Sequence, residues 1–389
     1  MSLFSRVVKA GGFANVRQVF IGGTNPVVIQ TMWKDRLSFA DLGGSCGRAI
    51  CERIDALAAM GCGLLRFAAP DIEAAEVLGK LAGMVSMPLV ADIHFDYKIA
   101  LRCLDFPIAK IRINPGNIGS PEKVKAVLDK AAGEGRPIRI GVNAGSLPQD
   151  IRLLVDEGRL GRAEALVEAA ERELAIFDKY NFKDVLVSMK ASGIADTINA
   201  NTLLTERGKE SGSPPLHIGV TEAGPLVAGT VRNTAALLAL LAKGLGDTIR
   251  VSLSDTMENE LIAGREIVAA AWDMSASGAP GPNISAKSRL KRAGVTIVSC
   301  PRCGRNSFDT HSFTARWLRR FYAIDRDICV AIMGCAVNGP GEARHADIGI
   351  TGAGDKVLIF RKGKVIRTIN AAEADEIFAK ELANVMQKN

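Results

Sequence analysis

The chain has 389 residues, 48% of them hydrophobic, and a formal net charge of +7. This length exceeds one ordinary core, so two domains are expected, and the apolar content excludes a disordered or low-complexity chain. Its longest apolar stretches, such as 235–242, are far shorter than the ~20 residues that span a bilayer. The first residues lack the apolar core of a signal peptide, so we expect a cytoplasmic location.

The charges and cysteines narrow the function further. The 49 basic and 42 acidic residues are spread along the chain. Such an excess can attract an anionic substrate, whereas nucleic-acid binding would require a basic stripe or a known module, and neither is present. Eight cysteines in a chain of this length and expected location favour thiols or metal ligands over a disulfide framework.

Strand-like and helix-like segments alternate over the first 250 residues. Helix-like stretches at 49–60, 121–132, 161–180, 231–241 and 259–271 lie between short β-branched runs. Those runs are 27–31, 64–67, 89–93, 110–114, 138–143, 185–190, 216–221 and 249–253. Alternation of this kind predicts parallel strands with crossover helices, and eight units in this length favour a (β/α)8 TIM-like barrel over an open sheet.

Polar residues follow nearly every predicted strand. In a barrel these positions converge on the carboxyl-end rim, where active sites lie. They are Arg66, Asp92, His94, Arg112, Asn114, Arg139, Asn143, Lys190, Glu222, Arg250 and Ser252. Any one of them is equally well explained as a turn or salt-bridge residue, but the complete ring favours a binding or catalytic site.

A segment rich in Gly, Pro and Ser divides the chain. We predict a barrel over 1–274, a linker over 275–286 and a smaller α/β domain over 287–389. The second domain has strand-like runs at 295–299, 328–333 and 348–351 and a terminal helix over 371–386. A hairpin turn is predicted at Lys362-Gly363, between runs at 357–360 and 365–369.

A candidate metal site lies in this second domain. Cys300-Pro-Arg-Cys303 follows a strand-like run, and Cys335 comes after 31 intervening residues, also after a strand, in a glycine-rich loop. Three thiolates fit an iron–sulfur cluster with a fourth ligand from elsewhere, or a zinc site completed by His311 or His345. The spacing leaves both open. Buried free thiols are expected for the other five, Cys46, Cys51, Cys62, Cys103 and Cys329.

Six segments together resemble the 4-hydroxy-3-methylbut-2-enyl diphosphate synthase family of the non-mevalonate isoprenoid pathway, in its shorter bacterial two-domain form. The likeness runs in the same order over nearly the whole chain. The segments are ADIHFDY (91–97), KIRINPGN (110–117), RIGVNAGS (139–146), VTEAG (220–224), SCPRCGR (299–305) and MGCAVNGPGEARHADIG (333–349).

The resemblance implies a 4Fe-4S cluster on Cys300, Cys303, Cys335 and Glu342. A carboxylate is a harder and more exchangeable ligand than a thiolate, so one iron could release Glu342 and accept a substrate oxygen. The implied reaction is the two-electron reductive ring opening of 2-C-methyl-D-erythritol 2,4-cyclodiphosphate to 4-hydroxy-3-methylbut-2-enyl diphosphate. The chain has no dinucleotide fingerprint, so flavodoxin or ferredoxin is the implied electron donor.

The resemblance also assigns roles to the rim. The cations Arg66, Arg112, Arg139, Lys190 and Arg250 would bind the diphosphate, and Asn114, Asn143 and Ser252 could add neutral donors. Glu222 would be the proton donor, with Asp92 and His94 in a binding or orienting role. Homodimers are implied, in which the cluster domain of one subunit caps the barrel of the other.

The chain departs from the family pattern at 33–37, at 197–215 and in the linker. These departures bear on loop contacts and on the approach of the cap. Two other readings are open: a barrel enzyme of pterin-binding type with a zinc-binding cap, and a metal-stabilised binding module for phosphorylated ligands without chemistry of its own.

Overall fold

The structure is a computed structural model that describes residues 5–208, 212–276, 289–290, 294–335, 341 and 343–388. The chain divides into two compact units, Met1–Lys291 and Arg292–Asn389. The first contains a parallel eight-stranded sheet and the second a mixed five-stranded sheet. The α/β class with an amino-terminal barrel, predicted from alternating runs, is confirmed.

Ten strands are described in the first unit. They are β1 (Val8–Ala10), β2 (Val19–Ile21), β3 (Val28–Met32), β4 (Leu64–Ala68), β5 (Leu89–Asp92), β6 (Lys110–Ile113), β7 (Ile138–Asn143), β8 (Val185–Lys190), β9 (His217–Ile218) and β10 (Thr248–Ile249). Strands β3 to β10 pair in parallel, in the order β8-β7-β6-β5-β4-β3-β10-β9. A parallel bridge between Val187 and Leu216 joins β8 to the residue before β9 and closes the ring.

Helices connect the barrel strands. They are α1 (Gly44–Ala59), α2 (Ile72–Met84), α3 (Tyr97–Leu104), α4 (Pro115–Ile118), α5 (Pro121–Gly133), α6 (Gln149–Asp156), α7 (Arg162–Lys179), α8 (Ile194–Arg207), α9 (Leu226–Ala242) and α10 (Met257–Ala276). Aspartate caps begin two of them: Asp71 accepts from the amide of Ala74 at 2.8 Å, and Asp96 accepts from that of Lys98 at 2.8 Å. No helix among the described residues is long and apolar enough to cross a membrane.

The amino-terminal hairpin β1–β2 covers one end of the barrel. Val8 and Ile21 are buried in one cluster with Val28, Leu64 and Leu186, which lie at the beginnings of barrel strands or close to them. The amino ends of the strands are therefore closed by apolar side chains. The carboxyl ends are left for the polar residues that follow the strands.

Two predicted strands are shorter in the structure, and one helix is longer. The runs 216–221 and 249–253 form strands over two residues each, His217–Ile218 and Thr248–Ile249. Helix α10 continues through Ala276, so residues 275 and 276 of the expected linker are helical. Residues 277–286 lie outside the described residues. The residues that follow these two short strands have irregular backbone instead, and the predicted site residues Glu222, Arg250 and Ser252 lie there.

The second unit has its own sheet and two helices. They are β11 (Val295–Ser299), α11 (Thr310–Tyr322), β12 (Ile328–Met333), β13 (Ile348–Ala353), β14 (Lys356–Arg361), β15 (Lys364–Asn370) and α12 (Ala374–Lys388). Strands β11, β12 and β13 are parallel, and β14 and β15 continue the sheet antiparallel. The predicted hairpin turn is confirmed: Lys362 and Gly363 both have positive φ, 46° and 76°, as a type I′ turn requires.

Aromatic side chains form the core of this second unit. Phe378 of α12 is fully buried against three rings of α11, at centroid distances of 5.3 Å to Phe313, 5.2 Å to Trp317 and 6.3 Å to Phe321. Alternate residues of β12, such as Val330 and Ile332, pack into the same cluster. The two helices are thereby fixed on one face of the sheet.

We expect Phe378→Ala to destabilise the second unit by about 3–5 kcal/mol, because the substitution leaves a cavity among three rings. Urea unfolding followed by tryptophan fluorescence would measure the loss. Val365→Ala, at a side chain that is 47% exposed, is the matched control and should change stability by less than about 0.5 kcal/mol. Equal effects of the two substitutions would contradict the assigned core.

Candidate functional site

The predicted rim residues come together at the carboxyl ends of the barrel strands. A cavity of about 110 Å³ is lined by nine of the ten predicted binding residues and by Thr221. These are Arg66, Asp92, His94, Arg112, Arg139, Asn143, Lys190, Arg250 and Ser252. The tenth, Asn114, and the predicted proton donor Glu222 are not among the lining residues.

Asp92 pairs with two arginines of the cavity, and one of these arginines also contacts His94. Its Oδ1 accepts from Nη1 of Arg112 at 3.0 Å, and its Oδ2 lies 3.6 Å from Nε of Arg66. Nη1 of Arg112 is also 2.6 Å from Nε2 of His94. Because a guanidinium can only donate, Nε2 of His94 is the acceptor, and the imidazole proton then lies on Nδ1.

The two guanidinium groups control the ionisation of Asp92. Burial would raise the pKa of this carboxyl, but the charges of Arg66 and Arg112 outweigh it and lower the pKa from 3.8 to about 2. Burial lowers the pKa of Arg66 to about 10, with Asp92 opposing the shift. Asp92 is therefore ionised throughout the neutral range and fixes both arginines.

Arg139 lies deeper in the barrel and is incompletely paired. It is 2% exposed, and its Nη1 donates to Oγ of Ser188 at 2.6 Å. Its Nε and Nη2 are buried without a partner in the described part of the chain, as is Nε of Arg112. Buried donors normally have partners, so these unused N–H groups are consistent with a site that accepts an anion.

Glycine at position 141 makes the arginine arrangement possible. A Cβ at Gly141 would lie 2.1 Å from Nε of Arg112, whose Nη2 donates to the Gly141 carbonyl at 3.0 Å. Any side chain here would displace the guanidinium from the cavity. The RIGVNAGS segment thus contributes a missing side chain as well as Arg139 and Asn143.

Lys190 reaches the cavity from β8 and is supported from below. Its Nζ lies 3.0 Å from Nε2 of His217, and Nδ1 of His217 lies 2.5 Å from Oγ1 of Thr248. His217 and Thr248 are fully buried, and Lys190 is 5% exposed. Burial lowers the pKa of Lys190 well below its usual value, and the neighbouring arginines lower it further.

Glu260 of α10 is a site residue that sequence reasoning missed. This buried carboxylate accepts from Lys34 at 2.5 Å, from Thr31 at 2.6 Å and from Arg250 at 3.3 Å. It also accepts from the amide of Leu253 at 3.1 Å. Lys34 belongs to the 33–37 segment that departs from the family pattern. That segment therefore supplies a second cation to Glu260, the carboxylate that also holds Arg250.

Other inward residues could have been found from alternation. Lys110 is completely buried at the first position of β6, two residues before Arg112. His217 is likewise completely buried at the first position of β9. Successive side chains of a strand point to opposite faces, so Lys110 must share the barrel interior with Arg112. No such signal was available for Glu260, which lies in a helix.

Asn114 is buried and directly precedes α4, which is tied to α7. Gly116, two residues later, donates its amide to Oε1 of Glu173 at 3.0 Å. A Cβ at Gly116 would lie 2.8 Å from that oxygen and 3.5 Å from Oδ1 of Asn114. Burial raises the pKa of Glu173 to about 7. The loop after β6 is therefore tied to α7 by a carboxyl group that titrates near neutrality.

Glu222 is exposed in a strained turn after β9. Its φ is +52°, in the left-handed region that non-glycine residues seldom adopt. The preceding residue, Thr221, lines the cavity and donates its amide to the carbonyl of Ala191 at 3.1 Å. Strain of this kind persists where the surroundings impose it and often marks functional sites.

The loops that carry the cysteines leave one edge of the second unit's sheet. Strands β11 and β12 are parallel neighbours, so Cys300 and Cys335 lie just beyond two adjacent carboxyl ends. The amide of Cys300 donates to the carbonyl of Ile332 at 2.9 Å, and that of Ser307 donates to Gly334 at 2.8 Å. These bonds hold the two loops together.

The surroundings of these loops suit a cluster of soft ligands. Cys335 is 8% exposed, and Cys300 packs against the apolar cluster of Met333 and Phe360. Oδ1 of Asn306 is buried without a partner among the described residues, and a Cβ at Gly334 would lie 2.3 Å from it. Thiolates in an apolar shell are the donor set that iron–sulfur clusters take.

In the part of the chain that the structure describes, the cysteine side chains are not assembled into a metal site. Among the described residues, no group of three or more His, Cys, Asp or Glu side chains is placed to hold a metal ion. Cys303, His311 and His345 are exposed. The expected fourth ligand, Glu342, lies outside the described residues.

The expectation for the remaining five cysteines was partly wrong. Cys62 and Cys103 are buried, and burial raises the pKa of each thiol to about 12. Cys51 and Cys329 are half-buried, and Cys46 is exposed. Cys46 lies near the beginning of α1, where the helix turns its first residues to solvent rather than to the barrel.

The fold and the two sets of site residues define a two-domain α/β protein, with a cationic barrel mouth and a cysteine-bearing second unit. The GcpE TIM-barrel domain matches residues 13–265, and the GcpE protein C-terminal domain matches residues 296–384. The chain belongs to the GcpE family. The family membership expected from the six segments is confirmed.

Several relatives carry the name 4-hydroxy-3-methylbut-2-en-1-yl diphosphate synthase (flavodoxin). That of Treponema denticola is 45% identical over 95% of this chain and 94% of its own length. Those of Treponema pallidum and Bacillus subtilis are 47% and 41% identical, over 96% and 97% of this chain and 88% and 90% of their own lengths. A dihydropteroate synthase from Yersinia pestis is 15% identical over 68% of this chain and 98% of that chain, with a TM-score of 0.43, and nothing follows from this likeness.

We expect Asp92→Asn to lower the free energy of unfolding at pH 7 by about 3–5 kcal/mol, because two buried guanidinium groups lose their counter-ion. The folded-state pKa of Asp92, about 2, is below the ordinary value of 3.8. Its stabilising contribution is therefore complete above about pH 4 and lost as the pH falls towards about 2.

Urea unfolding at a series of pH values would test this. The difference between wild type and Asp92→Asn should shrink below about pH 4. Asp129→Asn, at a carboxylate that is 59% exposed, is the control and should differ little from wild type at any pH. A constant difference across the acid range would mean that Asp92 acts through packing alone.

Proposed function

We propose that this chain reduces 2-C-methyl-D-erythritol 2,4-cyclodiphosphate to 4-hydroxy-3-methylbut-2-enyl diphosphate, the product from which its relatives take their name. The reaction takes up two electrons, opens the ring at a C–O bond and releases an oxygen as water. The single observation that carries the assignment to this chain is the cationic cavity, which gathers nine of the rim residues expected at the strand ends.

The cavity's charges suit a cyclic diphosphate. Five cations, Arg66, Arg112, Arg139, Lys190 and Arg250, line it together with one carboxylate, Asp92. Desolvated guanidinium groups bind phosphate oxygens with paired N–H donors, and Arg139 retains two unused donors. Asn143 and Ser252 could accept or donate to the hydroxyl groups of the erythritol part.

Asp92 orients rather than transfers protons in this proposal. With a pKa of about 2 it remains ionised, and its two arginine partners are held for the substrate. His94 accepts from Arg112 through Nε2, so its Nδ1–H is the group left for a substrate oxygen. Because burial lowers the pKa of His94, the neutral imidazole is favoured.

Glu222 is the proposed proton donor. It is held at the rim by a strained backbone, next to Thr221, which lines the cavity. A carboxyl group at this place could protonate the oxygen that leaves as the ring opens.

A 4Fe-4S cluster is the proposed cofactor, with Cys300, Cys303, Cys335 and Glu342 as its ligands. When bound, it would supply the electrons and a Lewis-acidic iron. The apolar shell and the shared sheet edge of the cysteine loops support this assignment over zinc. Flavodoxin, which forms part of the relatives' name, is the proposed electron donor. The homodimer expected from the resemblance stays a prediction, as does a cytoplasmic location.

We expect Glu222→Gln to lower kcat by about 10²- to 10⁴-fold and to leave the Kd for the cyclodiphosphate nearly unchanged, because Gln can bind but cannot donate a proton. Turnover with chemically reduced enzyme and calorimetric binding would measure both. Glu168→Gln, which alters an exposed ion pair with Arg172, is the control. Undiminished turnover of the Glu222 variant would eliminate it as the acid.

We expect Cys335→Ser to lose the broad absorption near roughly 400 nm and most of the iron and acid-labile sulfide after anaerobic reconstitution. The wild type should hold about four iron and four sulfide per chain. Cys46→Ser, at an exposed thiol outside the second unit, should behave as wild type. A colourless wild type that holds one tight zinc would favour the zinc-capped barrel instead.

A further inference from the structure

We propose that His217 is a positioning residue for Lys190, and that Thr248 in turn fixes His217, so that a buried hydrogen-bond chain aims the lysine at the bound diphosphate. This inference rests on the proposed function, because it assigns the diphosphate as the ligand of Lys190. The chain runs inward from the cavity, from β8 to β9 to β10.

Lys190 depends on His217 for its place. Its Nζ lies 3.0 Å from Nε2 of His217, and no salt bridge joins it to a carboxylate among the described residues. The charged or titratable groups that face it are Arg66, Arg112, Arg139, Arg250, Asp92, His94 and His217. Four of these are cations that repel it. The imidazole is therefore the neutral acceptor that stabilises the ammonium in this position.

The direction of the hydrogen bonds follows from the donors. An ammonium group can only donate, so Nε2 of His217 accepts and the proton of the ring lies on Nδ1. Nδ1–H then donates to Oγ1 of Thr248 at 2.5 Å. Burial, and after it the charge of Lys190, lowers the pKa of His217 well below its usual value, which agrees with a neutral ring. The ammonium of Lys190 thus selects this tautomer, and the hydroxyl of Thr248 accepts from it.

A glycine above the chain leaves room for the lysine. A Cβ at Gly219, two residues after His217 on the same face, would lie 3.0 Å from Nζ of Lys190 and 2.4 Å from the carbonyl oxygen of Arg250. Strand β9 therefore carries the acceptor below Lys190, and the residue directly after the strand leaves an opening beside it. His217 thus offers an acceptor to the ammonium at the cavity, and Gly219 leaves room for the ammonium as well as for the carbonyl of Arg250.

An ordinary buried histidine that fills space is the competing explanation, and two amide substitutions separate the two. Gln can bring its amide oxygen to the position of Nε2 and so keep the contact with Lys190. Asn reaches only the position of Nδ1 and keeps the contact with Thr248. A filler role predicts that His217→Asn and His217→Gln bind ligand equally, whereas positioning of Lys190 predicts that they differ.

The test measures cyclodiphosphate binding by calorimetry, with reconstituted full-length protein under anaerobic conditions and without reductant. We expect His217→Asn to bind about tenfold more weakly or worse and His217→Gln to remain within about threefold of wild type, since one hydrogen bond to a buried charge is lost in the first only. In a Lys190→Met background, His217→Asn should cause no further loss. Thermal unfolding of each variant shows whether it is folded.

The pH dependence gives a second readout that a filler role would not change. Affinity should fall as the pH rises through the pKa of Lys190, because the ammonium form binds the anion. Loss of the acceptor disfavours the ammonium, so in His217→Asn this fall should begin at lower pH than in wild type or His217→Gln. Equal affinities, or equal pH profiles, of the Asn and Gln variants would overturn the proposal.

The same series with inorganic diphosphate separates this inference from the proposed function. If the wild type binds diphosphate but not the cyclodiphosphate, the proposed substrate is wrong, and the comparison of His217→Asn with His217→Gln still decides the role of His217. If it binds both and the two variants do not differ with either ligand, the substrate assignment stands and the positioning role is wrong.

Discussion

The binding site of the first unit depends on buried positive charges, and few buried carboxylates are present among the described residues to balance them. Barrel interiors are usually filled by branched aliphatic side chains, but here arginine and lysine occupy the upper layers. Asp92 serves Arg66 and Arg112, and Glu260 serves Lys34 and Arg250. Arg139 and Lys190 have hydrogen-bond partners but no carboxylate of their own among the described residues. Because these buried positive charges outnumber the carboxylates around them, they destabilise the fold and favour the binding of an anion.

The apolar lower end of the barrel makes this imbalance tolerable. The hairpin β1–β2 packs Val8 and Ile21 against the amino ends of the strands, so stability is supplied there and chemistry at the opposite rim. Between the two lies a neutral polar layer that includes Gln30, Ser188 and Thr248. Hydrogen bonds from this layer support the cations above it: Ser188 accepts from Arg139, and Lys110 reaches Gln30 at 3.5 Å.

The second unit has a hydrophobic core of its own. Its aromatic cluster lies on one face of the sheet, and the loops with Cys300 and Cys335 leave the carboxyl edge of two parallel strands. The same physical rule therefore places both sets of residues: side chains that follow parallel strands meet at one edge. In the barrel the strands form a ring of such ends, and in the second unit they form a short row.

The sequence by itself determined the fold class, the barrel strands and the identity of most cavity residues. It could do so because alternation and strand-end position are local properties of the chain. It did not determine Glu260, or the pairing of Lys190 with His217, because these contacts join residues distant in sequence whose side chains meet only when the barrel closes. It also placed Cys46 wrongly, since an isolated thiol carries no periodic signal for the face it occupies. Tertiary structure alone decided which cations were paired and which donors were left for a ligand.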